Sequence, residues 1–355
     1  MKIAIQADGG TEIGMGHVMR TLVLAKELLK ENDVFYICRG ESKDGCKQYT
    51  KVSDNEVNSL DKLEKFEINY SKYSHGIKKI LSEGFRVKLI NEDNLINELK
   101  CINADMLITD SYSVNEDYFH ETKKIFRKTT YIDDTNKHNF DVDFLINQNI
   151  DAIDFEYKVN DDTKLLLGTK YLLLRDEFKK MPSKTIREKI KDIIITVGGA
   201  DPYNLTEKVL NYIRELNYNF HIVIGPSFVD TSFVEKLNSD NVKFYHNANM
   251  CEIMKKCDMA ISACGSTLYE LSACGVPTLG IIIAENQNGI ASKLNEMGII
   301  KNLGWYDKIN KEEFLNSINK LANDYELRKS LSNKASKLVD GKGAERIAKV
   351  LCEKI

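Results

Sequence analysis

Gly14-Met15-Gly16-His17-Val18-Met19-Arg20 is the stretch whose residue types and spacing carry the clearest chemistry. It lies between a short apolar run, Ile3 to Ile5, and an amphipathic one, Val18 to Leu29. That is the pattern of a strand that ends in a glycine-rich turn and opens a helix. Glycine lacks the Cβ that would keep a phosphate or a sugar away from backbone N–H groups, so Gly14 and Gly16 are candidate ligand contacts. His17, near the positive end of the helix dipole, is expected to keep a neutral, proton-accepting ring, as a general base requires. Arg20, one turn later, shares that face and can reach an anion or a sugar oxygen. A tight βα connection with a structural histidine is the plainer alternative for the same spacing.

Two further glycine-rich junctions follow in the second half. Gly198-Gly199-Ala200-Asp201 comes directly after the apolar run Ile193 to Val197, and Gly265-Ser266-Thr267 follows Asp258 to Ser262. Gly198 and Gly199 can present N–H groups to a diphosphate; alternatively they form a tight turn with Asp201 and Asn204 capping the helix. Thr267 and Glu270 have the spacing of a capping box. The other role for the Glu270 carboxylate is to bind the two ribose hydroxyls of a nucleotide whose phosphates rest on the turn before it. Asn286 and Gln287, at the next strand end, can line the same pocket. The six histidines include no pair with metal-ligand spacing, so no protein-bound metal is expected.

The elements that must position these residues alternate between strand and helix through the whole chain, which implies parallel sheets covered on both faces. In such sheets ligands gather at the carboxyl ends of strands. Asp110-Ser111-Tyr112, Asp133-Asp134 and Leu145-Ile146-Asn147 all fall at such ends, on the side to which His17 points. The polar stretch Lys179 to Lys191 reads as a linker, beyond which a second βα series begins. The expected division is an N-terminal domain over 1–180, a second over 190–325, and closing helices over 326–355. Residues 41–66 read as a charged excursion without a motif. Two doubly wound, Rossmann-like parallel-sheet domains facing across a cleft make the α/β architecture called GT-B, that of nucleotide-sugar enzymes.

With 355 residues, 43% of them apolar, the chain can fill two cores. Fifty basic against 53 acidic side chains leave a net charge of −3, so nucleic acid is not an expected partner. No signal-like segment opens the sequence, and no apolar run approaches the ~18 residues of a membrane span. Eight cysteines without a C-x-x-C pair fit reduced thiols. A cytoplasmic protein without membrane attachment is therefore expected, with protein partners left open.

Taken together, the motifs resemble the pseudaminic acid pathway hydrolases, which remove UDP from a diacetamido-trideoxy-altropyranose. The resemblance runs from Lys2 to about Gly298. It is carried by Asp8, Ile13-Gly14-x-Gly16-His17-Val18-Met19-Arg20, Asp110-Ser111-Tyr112, Ile132-Asp133-Asp134, Leu145-Ile146-Asn147, Leu174-Arg175-x-Glu177-Phe178, Gly198-Gly199-x-Asp201 and Ser262-x-x-Gly265-Ser266-Thr267-x-x-Glu270. It implies a GT-B hydrolase whose His17 activates water for attack on the sugar C1, without a cofactor. Tyr112, Arg20 and Asp110 would line the sugar pocket, with Asp8, Asp133, Asn147 and Arg175 as further substrate contacts. Gly265 to Glu270 would hold UDP. Gln6 stands where the family often has Arg, which leaves the exact sugar open. The competing expectations are a GT-B glycosyltransferase using a UDP-amino sugar, and a nucleotide-sugar binding protein without activity.

Overall fold

The computed structural model describes residues 1–10, 13–40, 47–49, 72–237, 239–246 and 248–353. Apart from one short strand, the 41–66 excursion lies outside them. The chain divides into two compact units, one of Met1–Leu173 with Lys342–Ile355 and one of Leu174–Gly341. The division therefore falls at 173/174, ahead of the expected linker. Residues 179–191 belong to the second unit, where side chains strap them down: Lys184 Nζ donates to the carbonyls of Met254 and Lys255, and the buried Arg328 donates to those of Arg187 and Glu188. The expected closing piece, 326–355, is likewise shared between the units.

The strands of the first unit are β1 (Lys2–Ala7), β2 (Asp33–Gly40), β3 (Lys47–Tyr49), β4 (Val87–Asn91), β5 (Met106–Asp110), β6 (Lys128–Ile132), β7 (Asn139–Phe140), β8 (Phe144–Asn147), β9 (Lys158–Val159) and β10 (Lys164–Leu167). Eight of them form one sheet in the order β10-β8-β6-β5-β1-β2-β4-β3, parallel except for β3. Helix α1 (Gly16–Leu28) lies over it and buries Val18, Leu22 and Ala25, spaced as one helical face. Helices α2 (Ser74–Ser82), α3 (Leu95–Leu99) and α4 (Glu116–Ile125) follow.

The second unit holds β11 (Asp192–Thr196), β12 (Asn219–Ile224), β13 (Val242–His246), β14 (Met259–Ala263), β15 (Thr278–Ile282) and β16 (Ile300–Trp305), all parallel, in the order β13-β12-β11-β14-β15-β16. Every residue of β11, β14 and β15 is buried, as covering on both faces demands. Its helices are α5 (Leu205–Ile213), α6 (Phe233–Lys236), α7 (Met250–Lys256), α8 (Thr267–Ala273), α9 (Asn288–Glu296), α10 (Lys311–Asn323) and α11 (Tyr325–Ala335). The last helix, α12 (Gly343–Cys352), belongs to the first unit. Its Ala344, Ile347 and Leu351 join the core that α1 covers.

Both units share the feature that positions the sites. The first strand of each, β1 or β11, sits mid-sheet, and the strand order reverses between it and β5 or β14. This switch opens a crevice at the carboxyl ends of the two strands. His17 and Asp110 stand at the first switch; Gly198-Gly199 and Gly265-Ser266-Thr267 stand at the second.

Among the elements that the sequence reading passes over are two helices and an edge strand. Helix α4 buries Tyr118, Phe119 and Thr122, two aromatics and a threonine that apolar periodicity under-reads. Helix α10 does carry legible signals, an Asn310 cap on the Glu313 N–H and a buried Phe314, Ile318 and Leu321. The third is the edge strand β16, whose residues are mostly half-buried.

Candidate active site

The turn that leads into α1 is built by glycine. Gly14 takes φ +72°, a left-handed conformation that L side chains resist, and its carbonyl accepts the Gly10 N–H at 3.0 Å. Gly10 and Gly76 are needed for a different reason. A Cβ on Gly10 would stand 1.7 Å from the Lys72 carbonyl oxygen, and one on Gly76 would stand 2.6 Å from the Gly9 backbone. The start of α2 thus clamps the loop that delivers His17.

His17 and Arg20, three apart on α1, converge on Asp110 at the end of β5. The His17 Nδ1 lies 2.5 Å from Asp110 Oδ1. Arg20 donates to both oxygens of the same carboxylate, Nη2 to Oδ1 and Nε to Oδ2, each at 2.5 Å. Asp110 is fully buried. Burial alone would push its carboxyl up, but the Arg20 guanidinium and the His17 ring more than offset that and hold it below the usual carboxylate range. Burial pulls the Arg20 guanidinium down; Asp110 and Asp134 override it and hold the charge firmly in place.

This geometry fixes the tautomer of the neutral ring. Arg20 Nη2 also stands 3.3 Å from Nδ1, but the carboxylate at 2.5 Å is the nearer partner and only accepts, which favours the proton on Nδ1 and leaves the Nε2 lone pair for a proton from elsewhere. The helix dipole is therefore not the field nearest to His17; a carboxylate in hydrogen-bond contact is. Asp110, expected among the sugar contacts, instead holds His17 and Arg20, and Arg20 spends Nε, Nη1 and Nη2 on carboxylates.

Tyr112 completes the cluster. Its ring meets that of His17 edge-on at 4.4 Å, its hydroxyl donates to Asp134 Oδ2 at 2.7 Å, and it is 54% exposed. Asp134 Oδ2 also receives Arg20 Nη1 at 3.0 Å. Asp134 is the residue of this cluster that the sequence reading left out of its site. The signal is the pair Asp133-Asp134 at a strand end, of which only Asp133 is among the expected contacts. Asp133 accepts from the Thr135 and Asn136 N–H groups and from the Tyr157 hydroxyl. Asn147 donates to that same hydroxyl and accepts the Asn149 N–H, so both residues shape loops. Asp8 is likewise engaged, taking the Arg39 N–H on Oδ1 and Arg39 Nε on Oδ2 at 2.8 and 2.6 Å. Gln6 is buried and accepts the Tyr118 hydroxyl at 2.6 Å.

In the second unit Arg175 forks onto Glu270, with Nε–Oε1 at 2.7 Å and Nη2–Oε2 at 2.9 Å. Its guanidinium also lies over the buried Phe178 ring, 5.0 Å from the centroid. Arg175 and Glu270 thus hold each other within the second unit, and the start of α8 has no side-chain cap. Burial pushes the Glu270 carboxyl up while Arg175 draws it down, with burial the larger effect. Gly198 requires its glycine at φ +98°, and a Cβ on Gly225 would meet the Gly198 and Gly199 carbonyl oxygens at 2.4 Å. Asp201 caps α5, both of its oxygens accepting backbone N–H groups at 2.8 Å, whereas Asn204 makes no side-chain cap. Gln287 approaches the Gly265 turn, its Nε2 standing 3.6 Å from where a Gly265 Cβ would be. Asn286 precedes it in the same short helical turn, and Ser266 and Thr267 open α8. Among the described residues no group of three or more His, Cys, Asp or Glu side chains could hold a metal ion, and no helix is long and apolar enough to cross a membrane.

The family model for the glycosyltransferase family 28 C-terminal domain matches residues 192–349. The chain is similar to an uncharacterized protein of Methanocaldococcus jannaschii, 32% identical over 81% of this chain, but spans only 56% of that protein's length. It is 25% identical to the spore coat polysaccharide biosynthesis protein SpsG of Bacillus subtilis, over 99% of this chain and 98% of that one. It is also similar to the UDP-2,4-diacetamido-2,4,6-trideoxy-beta-L-altropyranose hydrolase of Campylobacter jejuni, with 27% identity over 84% of this chain and 97% of that one. Among solved structures, Acinetobacter baumannii MurG superposes with a TM-score of 0.62 over 99% of both chains at 14% identity, which establishes the fold.

The Asp110 carboxyl is held below its unfolded value of about 3.9, so the stability it supplies is complete above that pH and drains away as the pH falls through the lower folded value. Urea unfolding should therefore show wild-type stability declining on the acid side. Asp110→Asn, destabilised by about 3–5 kcal/mol because its buried partners lose their counter-charge, should decline less over the same range. Parallel profiles would contradict the ion-pair assignment.

Proposed function

Starting from a GT-B chain with relatives in pseudaminic acid and spore coat sugar metabolism, we propose that this protein is a UDP-sugar hydrolase. It releases UDP from UDP-2,4-diacetamido-2,4,6-trideoxy-beta-L-altropyranose by attack of water at C1. The observation that carries this reading is the Asp110–His17 contact, which leaves His17 Nε2 as an oriented proton acceptor. His17 Nε2 takes a proton from water as the water oxygen bonds to C1, and the bond from C1 to the diphosphate oxygen breaks. UDP is a good leaving group, so its departure needs backbone N–H donors at the Gly198-Gly199 and Gly265–Thr267 turns rather than an acid. A single base on water gives inversion at the anomeric carbon, as in inverting glycosidases. Glu270, fixed by Arg175, receives the ribose hydroxyls, and no metal or cofactor takes part.

The family 28 match and the likeness to MurG favour one competing reading, transfer of the sugar to an acceptor hydroxyl. Reaction in heavy-oxygen water without any acceptor separates the two. Hydrolysis at C1 releases UDP over many turnovers, puts the label in the sugar and none in UDP, and yields the anomer opposite to that of the substrate in proton NMR taken before mutarotation. Silence without acceptor would favour the transferase, and label in UDP would mean attack at phosphorus.

Glu270→Ala should weaken UDP binding by about 1.5–3 kcal/mol, the worth of hydrogen bonds to a charged group. Arg175→Met removes the same ion pair while keeping the carboxylate. If calorimetric titration finds UDP affinity unchanged in Glu270→Ala, with only the melting temperature lowered, Glu270 is a structural partner of Arg175 and nothing more.

A further inference from the structure

Four carboxylates stand at or near the strand ends of the first unit's site, and three have both oxygens occupied. Asp8 is spent on Arg39, Asp110 on His17 and Arg20, and Asp133 on its own turn, where Oδ1 takes the Thr135 hydroxyl. Asp134 differs. Its Oδ2 carries two donors, Arg20 Nη1 and the Tyr112 hydroxyl, while Oδ1 is shielded from solvent and has no hydrogen-bond partner. A buried carboxylate oxygen without a donor is costly, and a donor on a bound ligand would relieve it. The neighbour able to yield is Tyr112, the half-exposed member of the cluster, which grips the same carboxylate and packs on the catalytic histidine.

We propose that Asp134 reads the sugar: the Tyr112 side chain turns aside to admit it, and a ring substituent donates an N–H or O–H to the idle Oδ1. This rests on the hydrolase reading above. The proposed sugar offers three such donors, the N–H of each acetamido group and the hydroxyl at C3. A carboxylate anchored by Arg20 shares its anchor with Asp110, so the donor that Asp134 selects also sets where C1 lies relative to His17. Asp134 is thus a specificity-determining residue whose loss should fall on some sugars and not on others.

The test is kcat/KM for the parent UDP-sugar and for three analogues, 2-azido, 4-azido and 3-deoxy, each lacking one donor, with wild type and Asp134→Asn. With wild type, one analogue should fall at least about 10-fold below the parent, the cost of an unpaired buried charge. In Asp134→Asn the parent should drop while that analogue drops much less, so that their ratio approaches one. The other two analogues should keep the same ratio in both proteins. A purely structural role, holding Arg20 and Tyr112, would lower all four substrates by one factor, and that outcome overturns the proposal while leaving the hydrolase reading intact. If wild type releases no UDP from the parent, the hydrolase reading falls and this inference with it. Should Asp134→Asn fail to fold, Asp134→Ser gives the same ratio.

Discussion

A buried carboxylate held between an arginine and a histidine is the interaction on which the first unit's site depends. Asp110 is fully buried at the end of β5, and it is tolerable there only because Arg20 and His17 supply charge and donors to both oxygens. Such a cluster is not a strong source of stability, since desolvating the charges cancels much of their attraction. What it does supply is geometry. Arg20 ties Asp110 to Asp134, Asp134 ties Tyr112, and Tyr112 packs on His17, so that removing any member loosens the others. The His17 ring is thereby held in one orientation with one nitrogen available.

The fold makes that cluster possible by bringing distant segments to one place. In each unit the first strand lies centrally with its successors on either side, so loops from both directions meet at the strand ends. His17 and Asp110 are 93 residues apart yet in contact, and Arg175 and Glu270 are 95 apart yet forked together. Close backbone packing sets the loops themselves: Gly9 against Gly76, Gly225 against Gly198 and Gly199. These glycines are dictated by contact between chain segments, whereas Gly14 and Gly198 are dictated by positive φ.

How much of this the sequence reveals follows from the range of the interactions. The parallel sheets, the helix start at His17 and the strand-end placement of the polar residues were legible because each is a local pattern. Roles that depend on contacts nearly a hundred residues apart were not. The resemblance implies Asp110 at the sugar, and only its burial beneath Arg20 and His17 reveals it as their anchor. Arg175 is a substrate contact only by what the resemblance implies, and its fork onto Glu270, 95 residues away, has no signal in the sequence. Asp133 and Asp134 are adjacent and identical in type, and nothing in the sequence distinguishes the one that closes a turn from the one that faces Arg20 and Tyr112.

The claim at the centre of this account is that Asp110 fixes which ring nitrogen of His17 is free. Nitrogen-15 NMR of histidine-labelled protein, with His17 assigned among the six histidines, measures this directly in the neutral ring. The account predicts the proton on Nδ1 and a bare Nε2 in the wild type, with that preference weakened or lost in Asp110→Asn. A wild-type ring protonated on Nε2, with Nδ1 bare, would contradict it.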